Sequence, residues 1–124
     1  MNDQIWQWGA ADTARAIREG RITCGDAVDA ALERLSSVNA RVNAVTVDLS
    51  DSARARAREA DARQAAGDPL GPLHGVPITI KENTDQAGQP TTNGVVAYRD
   101  NIAATNAPVV DNLLNAGAII IGRT

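Results

Sequence analysis

The sequence predicts an α/β fold, and three observations carry that prediction. Small and apolar residues recur at helical spacing through much of residues 10–66, an alternating strand runs over Val76–Ile80, and an apolar run, Ala118–Ile121, follows a helix that starts near Pro108. Strand, loop, helix, strand is the order of a right-handed crossover that sets two strands parallel. The 124 residues allow one domain. It divides into a mainly helical lead-in, residues 1–67, and a strand–loop–helix–strand part, residues 68–124. Core material is thin: there is no Phe, one Tyr, two Trp and one Met. Burial therefore relies on Ala, Val, Ile and Leu, and each alanine removes little apolar area from water.

In chain order, Ile5, Trp6 and Trp8 form a short apolar lead that reads as an anchor folded over the body of the protein. Ala10–Glu19 reads as a helix with Ala10, Ala14 and Ile17 on one face and Gly20 as its stop. The second helix is the best specified. Thr23 and Asp26 stand at capping-box spacing, and Val28, Ala31, Leu32 and Leu35 follow the i, i+3, i+4, i+7 rule. Asn39 is its expected end, and Val42–Val47 is expected to be extended. Ser50 is the expected N-cap of a third helix over Asp51–Ala66, with Ala53, Ala57 and Ala60 as a small-residue stripe. Its arginines, Arg54, Arg56, Arg58 and Arg63, are nearly balanced by Asp51, Glu59 and Asp61, with Glu59–Arg63 at helix-pair spacing. That is a solvated face, not a basic patch. Gly67–Gly75, with Pro69 and Pro72, is punctuation before the strand. Pro77 lacks a ladder donor, so it belongs at the start of that strand or at an unpaired position. Asn83–Asn106 is a long polar loop with an apolar interruption at Val95–Tyr98, and loops of this length tend to be functional or mobile. Its Thr91, Thr92 and Asn93 fit local turn bonding better than substrate contact. From Pro108, a favoured first helical residue, the last helix carries Val110, Leu113 and Leu114 inward and stops at Gly117.

Charge and composition exclude several functions. A net charge of −3 offers no basic field for a phosphate backbone, so nucleic acid is not an expected partner. The single cysteine, Cys24, forms no internal disulfide and fits a reducing compartment. Its place near a helix start allows a lowered thiol pKa, but a small packing residue is the better reading. Met1–Trp6 lacks the basic and apolar regions of a signal peptide, and Ala118–Ile121 is too short to span a bilayer. The cytoplasm is the expected location. His74 is the only histidine and no cysteine cluster stands near it, so no metal site is expected and a structural role is assigned.

The chemistry gathers at Leu73–Asn83. The strand there delivers Lys81, the only lysine among twelve Lys and Arg residues, to its carboxyl end, with Glu82 next and the long loop beyond. Read as surface, Lys81 is a strand-end lysine snorkelling to water. Read as chemistry, it is a position that needs an amine able to lose its proton, because guanidinium stays charged in proteins.

The block Gly71-Pro72-Leu73-His74-Gly75-Val76-Pro77-Ile78-Thr79-Ile80-Lys81-Glu82-Asn83 resembles the N-terminal block of the amidase signature family. The likeness continues through Asp85-Gln86-Ala87-Gly88 and Thr91-Thr92-Asn93-Gly94. It resumes at Pro108-Val109-Val110, Leu113, Leu114 and Ala116-Gly117-Ala118-Ile119-Ile120-Ile121-Gly122-Arg123-Thr124. The resemblance implies the amidase signature fold, helices packed on a mixed sheet, of which this chain holds the N-terminal part. It also implies hydrolysis of a small-molecule amide by a Ser–cis-Ser–Lys triad, with Lys81 as the base and no cofactor. The family's two serines belong to a Gly-Gly-Ser-Ser-Gly-Gly type stretch and a second Gly-rich loop, and here no serine follows Ser52. The expectation is an N-terminal piece that is inactive alone. Its Ile-rich last strand is expected to expose an edge, and the piece to self-associate or dock on the rest of the domain. Three readings compete: a stand-alone amidase, the A subunit of a tRNA-dependent amidotransferase, and a non-catalytic binding or assembly piece. The loop from Thr84 to Gly94 looks more like the amidase branch.

Overall fold

Strand β3, Ile119–Arg123, is the centre of the sheet, and all five of its residues are buried. The structure, a computed structural model, describes residues 4–124; Met1–Asp3, part of the stretch read for a leader, lie outside the described residues. On one side of β3 runs β2, Pro77–Ile80, parallel to it, with Pro77 opposite Ile119 and Ile80 opposite Arg123. On the other side runs β1, Val47–Asp48, antiparallel. The parallel pair expected from the strand–loop–helix–strand order is present, and β1 makes the sheet mixed. The exposed edge expected at Ala118–Ile121 is not there. The chain after the second helix folds back and pairs Val47 with Arg123 and Asp48 with Gly122, covering the side that local pattern left bare. The edges are β1 and β2, which suits Pro77, since an edge strand tolerates a missing donor.

Alternation along β3 separates two cores, because successive side chains point to opposite faces. Ile119 and Ile121 join α1 (Ala10–Arg18), α2 (Cys24–Val42) and α3 (Ser50–Ala65) through Ile17, Val28, Leu32, Ala53 and Ala57. Ile120 faces the other way, with Ile80 of β2 and Val110 of α4 (Pro108–Asn115). The alanines of α3 keep it close to the sheet and to α2, as their stripe implied. Ile5 and Trp8 pack on the first core, while Trp6 lies under the Arg34 guanidinium at 4.2 Å, a contact worth about 0.5–1 kcal/mol at an exposed site.

The helix ends show where local reading succeeded and where it did not. Thr23 caps α2 through both halves of the capping box: its hydroxyl accepts the Asp26 N–H at 2.9 Å, and Asp26 accepts the Thr23 N–H at 2.8 Å. The same helix runs three residues past Asn39, to Val42, and ends on Asn43 in the left-handed region, φ +50°. Asn39 is not the stop because its amide serves the next segment, exchanging two 3.0 Å hydrogen bonds with the backbone of Val45. The expected Val42–Val47 strand shrinks to Val47–Asp48 accordingly. Ser50 is the first residue of α3 and not its cap; Asp48 accepts both the Ser50 N–H, at 2.8 Å, and the Ser50 hydroxyl. Two helical faces also differ from expectation. Ala10 is exposed while Thr13 and Ala16 are buried, and Leu114 is 40% exposed because the second core is filled by Val110 and Leu113. On α3, Glu59 pairs with Arg56 at 3.6 Å and Arg63 with Asp68 at 3.5 Å, instead of with each other.

Two glycines are required by close approach. Gly75, at φ +79°, lies against Cys24 and Ile17, and a Cβ there would come within 2.8 Å of the Ile17 Cδ1. Gly117, at φ +96°, closes α4, and a Cβ there would stand 2.7 Å from the Cα of His74. Together they let the turn before β2 nest between the first core and the end of α4.

Candidate functional site

Lys81 follows the last residue of β2 and is exposed, with no side-chain hydrogen bond or ion pair among the described residues. Its backbone is held on both sides by one residue of the neighbouring strand. Thr124 donates its N–H to the Ile80 carbonyl at 3.0 Å and accepts the Glu82 N–H at 2.7 Å, the pattern of a parallel ladder straddling Lys81. The Lys81 carbonyl accepts the Thr84 N–H at 2.9 Å, which turns the chain into the loop. The amine thus stands free, on a side chain rooted in a hydrogen-bonded main chain, at the carboxyl end of a parallel strand, where open α/β sheets hold their ligands.

The loop beside it is stitched down at many points. Glu82 accepts the backbone N–H of Thr92 at 2.6 Å and of Asn93 at 3.1 Å. The Thr92 hydrogen bond comes first among the causes that hold its carboxyl below the usual glutamate range. The Thr91 hydroxyl donates to Asp85 at 2.7 Å, and the Thr92 hydroxyl accepts the Gly94 N–H at 3.1 Å. Local bonding is therefore what Thr91, Thr92 and Asn93 do, as their composition suggested. Asn106 closes the base of the loop, accepting the Ala87 N–H at 2.7 Å and donating to Asp111 at 2.9 Å. Within it the chain doubles back, with Pro90 opposite Ile102.

Arg123 was not singled out by the sequence, yet it is the largest fully buried side chain among the described residues. Its Nη2 donates to the carbonyls of Glu82 at 2.8 Å, Thr84 at 3.2 Å and Pro90 at 3.2 Å, and its Nη1 donates to the Gln86 Oε1 at 3.1 Å. Burial lowers its pKa, partly offset by the charges of Glu82 and Asp85. The guanidinium remains charged in any case. The one signal that could have found it is a cation inside a strand whose other residues are Ile and Gly.

His74 lies before β2 and Lys81 after it, so the strand separates the two. His74 is buried, its Nε2 has no partner among the described residues, and its pKa is lowered, first by burial and then by the charge of Arg63. It lines a cleft of about 480 Å³ with residues of α3, α4, β3 and the Gln86–Asn106 loop, and Lys81 does not line it. Cys24 is wholly buried and its thiol is pushed up to about 12, by burial first and then by Asp61. It is a packing residue. Among the described residues no group of three or more His, Cys, Asp or Glu side chains is placed to hold a metal ion, and no helix is long and apolar enough to cross a membrane.

The chain is thus a mixed α/β sheet with an exposed lysine at the carboxyl end of a parallel strand. Residues 26–124 match the family model for Amidase, and the chain belongs to that family. It is 57% identical over 120 residues to an indoleacetamide hydrolase of Bradyrhizobium diazoefficiens, covering 97% of this chain and 23% of that protein. It is 35% identical over 120 residues to the glutamyl-tRNA(Gln) amidotransferase A subunit of Salinispora tropica, covering 97% of this chain and 24% of the relative. The fold superposes on a fatty acid amide hydrolase with a TM-score of 0.92 at 25% identity, over all of this chain and 22% of that one. The chain spans about a quarter of the length of the curated relatives it matches.

Proposed function

We propose that this chain is the lysine-bearing N-terminal segment of a single amidase domain, which hydrolyses the C–N bond of a small carboxamide, and that Lys81 is its base. The observation that carries the assignment of Lys81 is its position: an unpaired amine, main-chain-locked by Thr124, at the mouth of the sheet. In the proposed reaction the neutral amine takes a proton from a bridging cis-serine, which takes one from the nucleophilic serine as that oxygen attacks the carbonyl. Collapse of the tetrahedral intermediate breaks the C–N bond, the departing amine receives a proton, and water then hydrolyses the acyl-enzyme. Both serines are to come from sequence beyond Thr124, so the 124 residues alone should hydrolyse nothing.

The 57% identity to an indoleacetamide hydrolase, against 35% to an amidotransferase A subunit, favours a stand-alone hydrolase and makes an arylacetamide the first substrate to try. The same comparison keeps the amidotransferase as the second reading. We also propose that the segment docks on the rest of its domain through the free edge of β2 and the exposed apolar residues Val109 and Leu114 of α4, and that isolated it self-associates there. The single buried thiol supports a cytoplasmic site of action.

The test is hydrolysis of indoleacetamide by the complete protein, wild type against Lys81→Ala. Release of ammonia by the wild type and its loss in the variant is the expected outcome. Ammonia release that survives in Lys81→Ala overturns the base assignment. Activity only with a glutaminyl donor and charged tRNA overturns the stand-alone reading in favour of the amidotransferase.

A further inference from the structure

Three features outside Lys81 stand out. The His74 cleft is walled by α4 and the loop, and nothing in the structure shows what covers it. Cys24 is sealed by Asp61 and the first core. The third feature, the Arg123 cluster, touches the site itself. Resting on the reading of Lys81 as the base, we propose that Arg123 is a positioning residue for the Lys81 amine, acting through the backbone of Glu82.

The geometry has two halves. The main chain around Arg123 holds the strand: Ile80 lies opposite Arg123, and the next residue, Thr124, brackets Lys81 with its two main-chain hydrogen bonds. The side chain holds the loop: one buried guanidinium draws together the carbonyls of Glu82, Thr84 and Pro90 and the amide oxygen of Gln86. Lys81 sits where these two sets of bonds meet, so its Cα, and with it the root of the side chain, cannot drift without breaking one of them. The Glu82 carboxylate completes the arrangement by fixing Thr92 and Asn93 to the same turn.

A fork of five donors suits several carbonyls at once, whereas an ammonium offers a single point. Lysine should therefore not replace arginine here, although both carry the charge. A catalytic base must lie within hydrogen-bond reach of the proton it accepts, and small misplacements are costly to the rate. Arg123 itself is buried beneath the loop, and its contribution is to keep the main chain that carries the amine in register.

The experiment uses the complete enzyme with Arg123→Lys, Arg123→Met and Gln86→Leu, and Lys81→Ala as the control. Fold is checked by circular dichroism and thermal melting, and kcat, KM and the pH profile of kcat are measured on indoleacetamide. The arginine variants should lower kcat about 10- to 100-fold with KM changed less than about threefold, and should move the pH profile. Gln86→Leu, which removes one of the four acceptors from a half-buried position, should lower kcat several-fold with a smaller fall in Tm than the arginine variants and serves as the deciding variant should neither arginine variant fold. Wild-type kcat and pH profile in Gln86→Leu, and in whichever arginine variant folds, overturn the positioning role while leaving the base assignment intact. Activity retained in Lys81→Ala overturns the base assignment itself, and the positioning role with it.

Discussion

The Asp61 carboxylate on α3 accepts the backbone N–H of Cys24, the first residue of α2, at 2.7 Å. Its second oxygen accepts the Gly25 N–H at 3.1 Å. The start of α2 is thus capped twice, by Thr23 within its own turn and by a side chain 37 residues away. An acid at a helix N-terminus satisfies free N–H groups and faces the positive end of the dipole. Asp61→Ala should destabilise the fold by about 1–2 kcal/mol, as measured by urea unfolding. Asp61→Asn should cost less, because it keeps an acceptor. Equal losses for the two variants would contradict the capping account.

Cys24 carries a pH consequence. Its folded pKa, about 12, lies above the ordinary 9.0, so between those values the folded state holds a proton that the unfolded state has released. Stability from this group is complete below pH 9 and falls as pH rises toward 12. A urea midpoint that declines in this window, and declines less in Cys24→Ala measured against its own neutral value, is the expected result. The native thiol should also be inert to alkylation at neutral pH until the protein unfolds.

Gly117→Ala should be destabilising by at least about 1 kcal/mol, since alanine is strained at that φ and its Cβ would strike His74. By contrast Gly67→Ala, also at positive φ but with nothing within 4 Å, should suffer the backbone strain alone. Thermal melts of the two variants measure the difference between strain and collision.

In the complete enzyme, Lys81→Arg should be nearly as inactive as Lys81→Ala, because a guanidinium does not give up its proton. His74→Ala should keep most of its kcat per folded molecule and lose stability instead. Steady-state kinetics beside melting curves would show the reverse assignment if His74→Ala lost kcat at unchanged Tm.

The 124-residue chain should sediment with a mass that rises with concentration, through β2 and the exposed side of α4. Its Ile119–Arg123 amides should exchange slowly at every concentration, since β3 is paired on both sides. A monomer across the whole range would remove the proposed docking face.

What the sequence determined by itself is what a few neighbouring residues decide. Thr23 and Asp26 cap α2 within one turn, Pro108 opens α4, Gly117 closes it, and Lys81 follows the end of β2, all read from spacing and residue chemistry, while the strand begins at Pro77, one residue later than the alternation from Val76 implied. Family likeness followed from blocks of the same local kind. What only the tertiary structure decided involves partners far apart in the chain. β3 is a central strand because Val47 and Asp48 return to it, Asn39 lets α2 continue because its amide finds Val45, and Ser50 yields the capping role to Asp48. Arg123 is the sharpest case. Its buried guanidinium reaches Glu82, 41 residues earlier, and no local pattern marks a cation whose acceptors are backbone carbonyls supplied by a distant loop. Helical and strand periodicity register which side of an element is apolar; they do not register which distant polar group will satisfy a buried charge, because that depends on loop closure and on the packing of every element between.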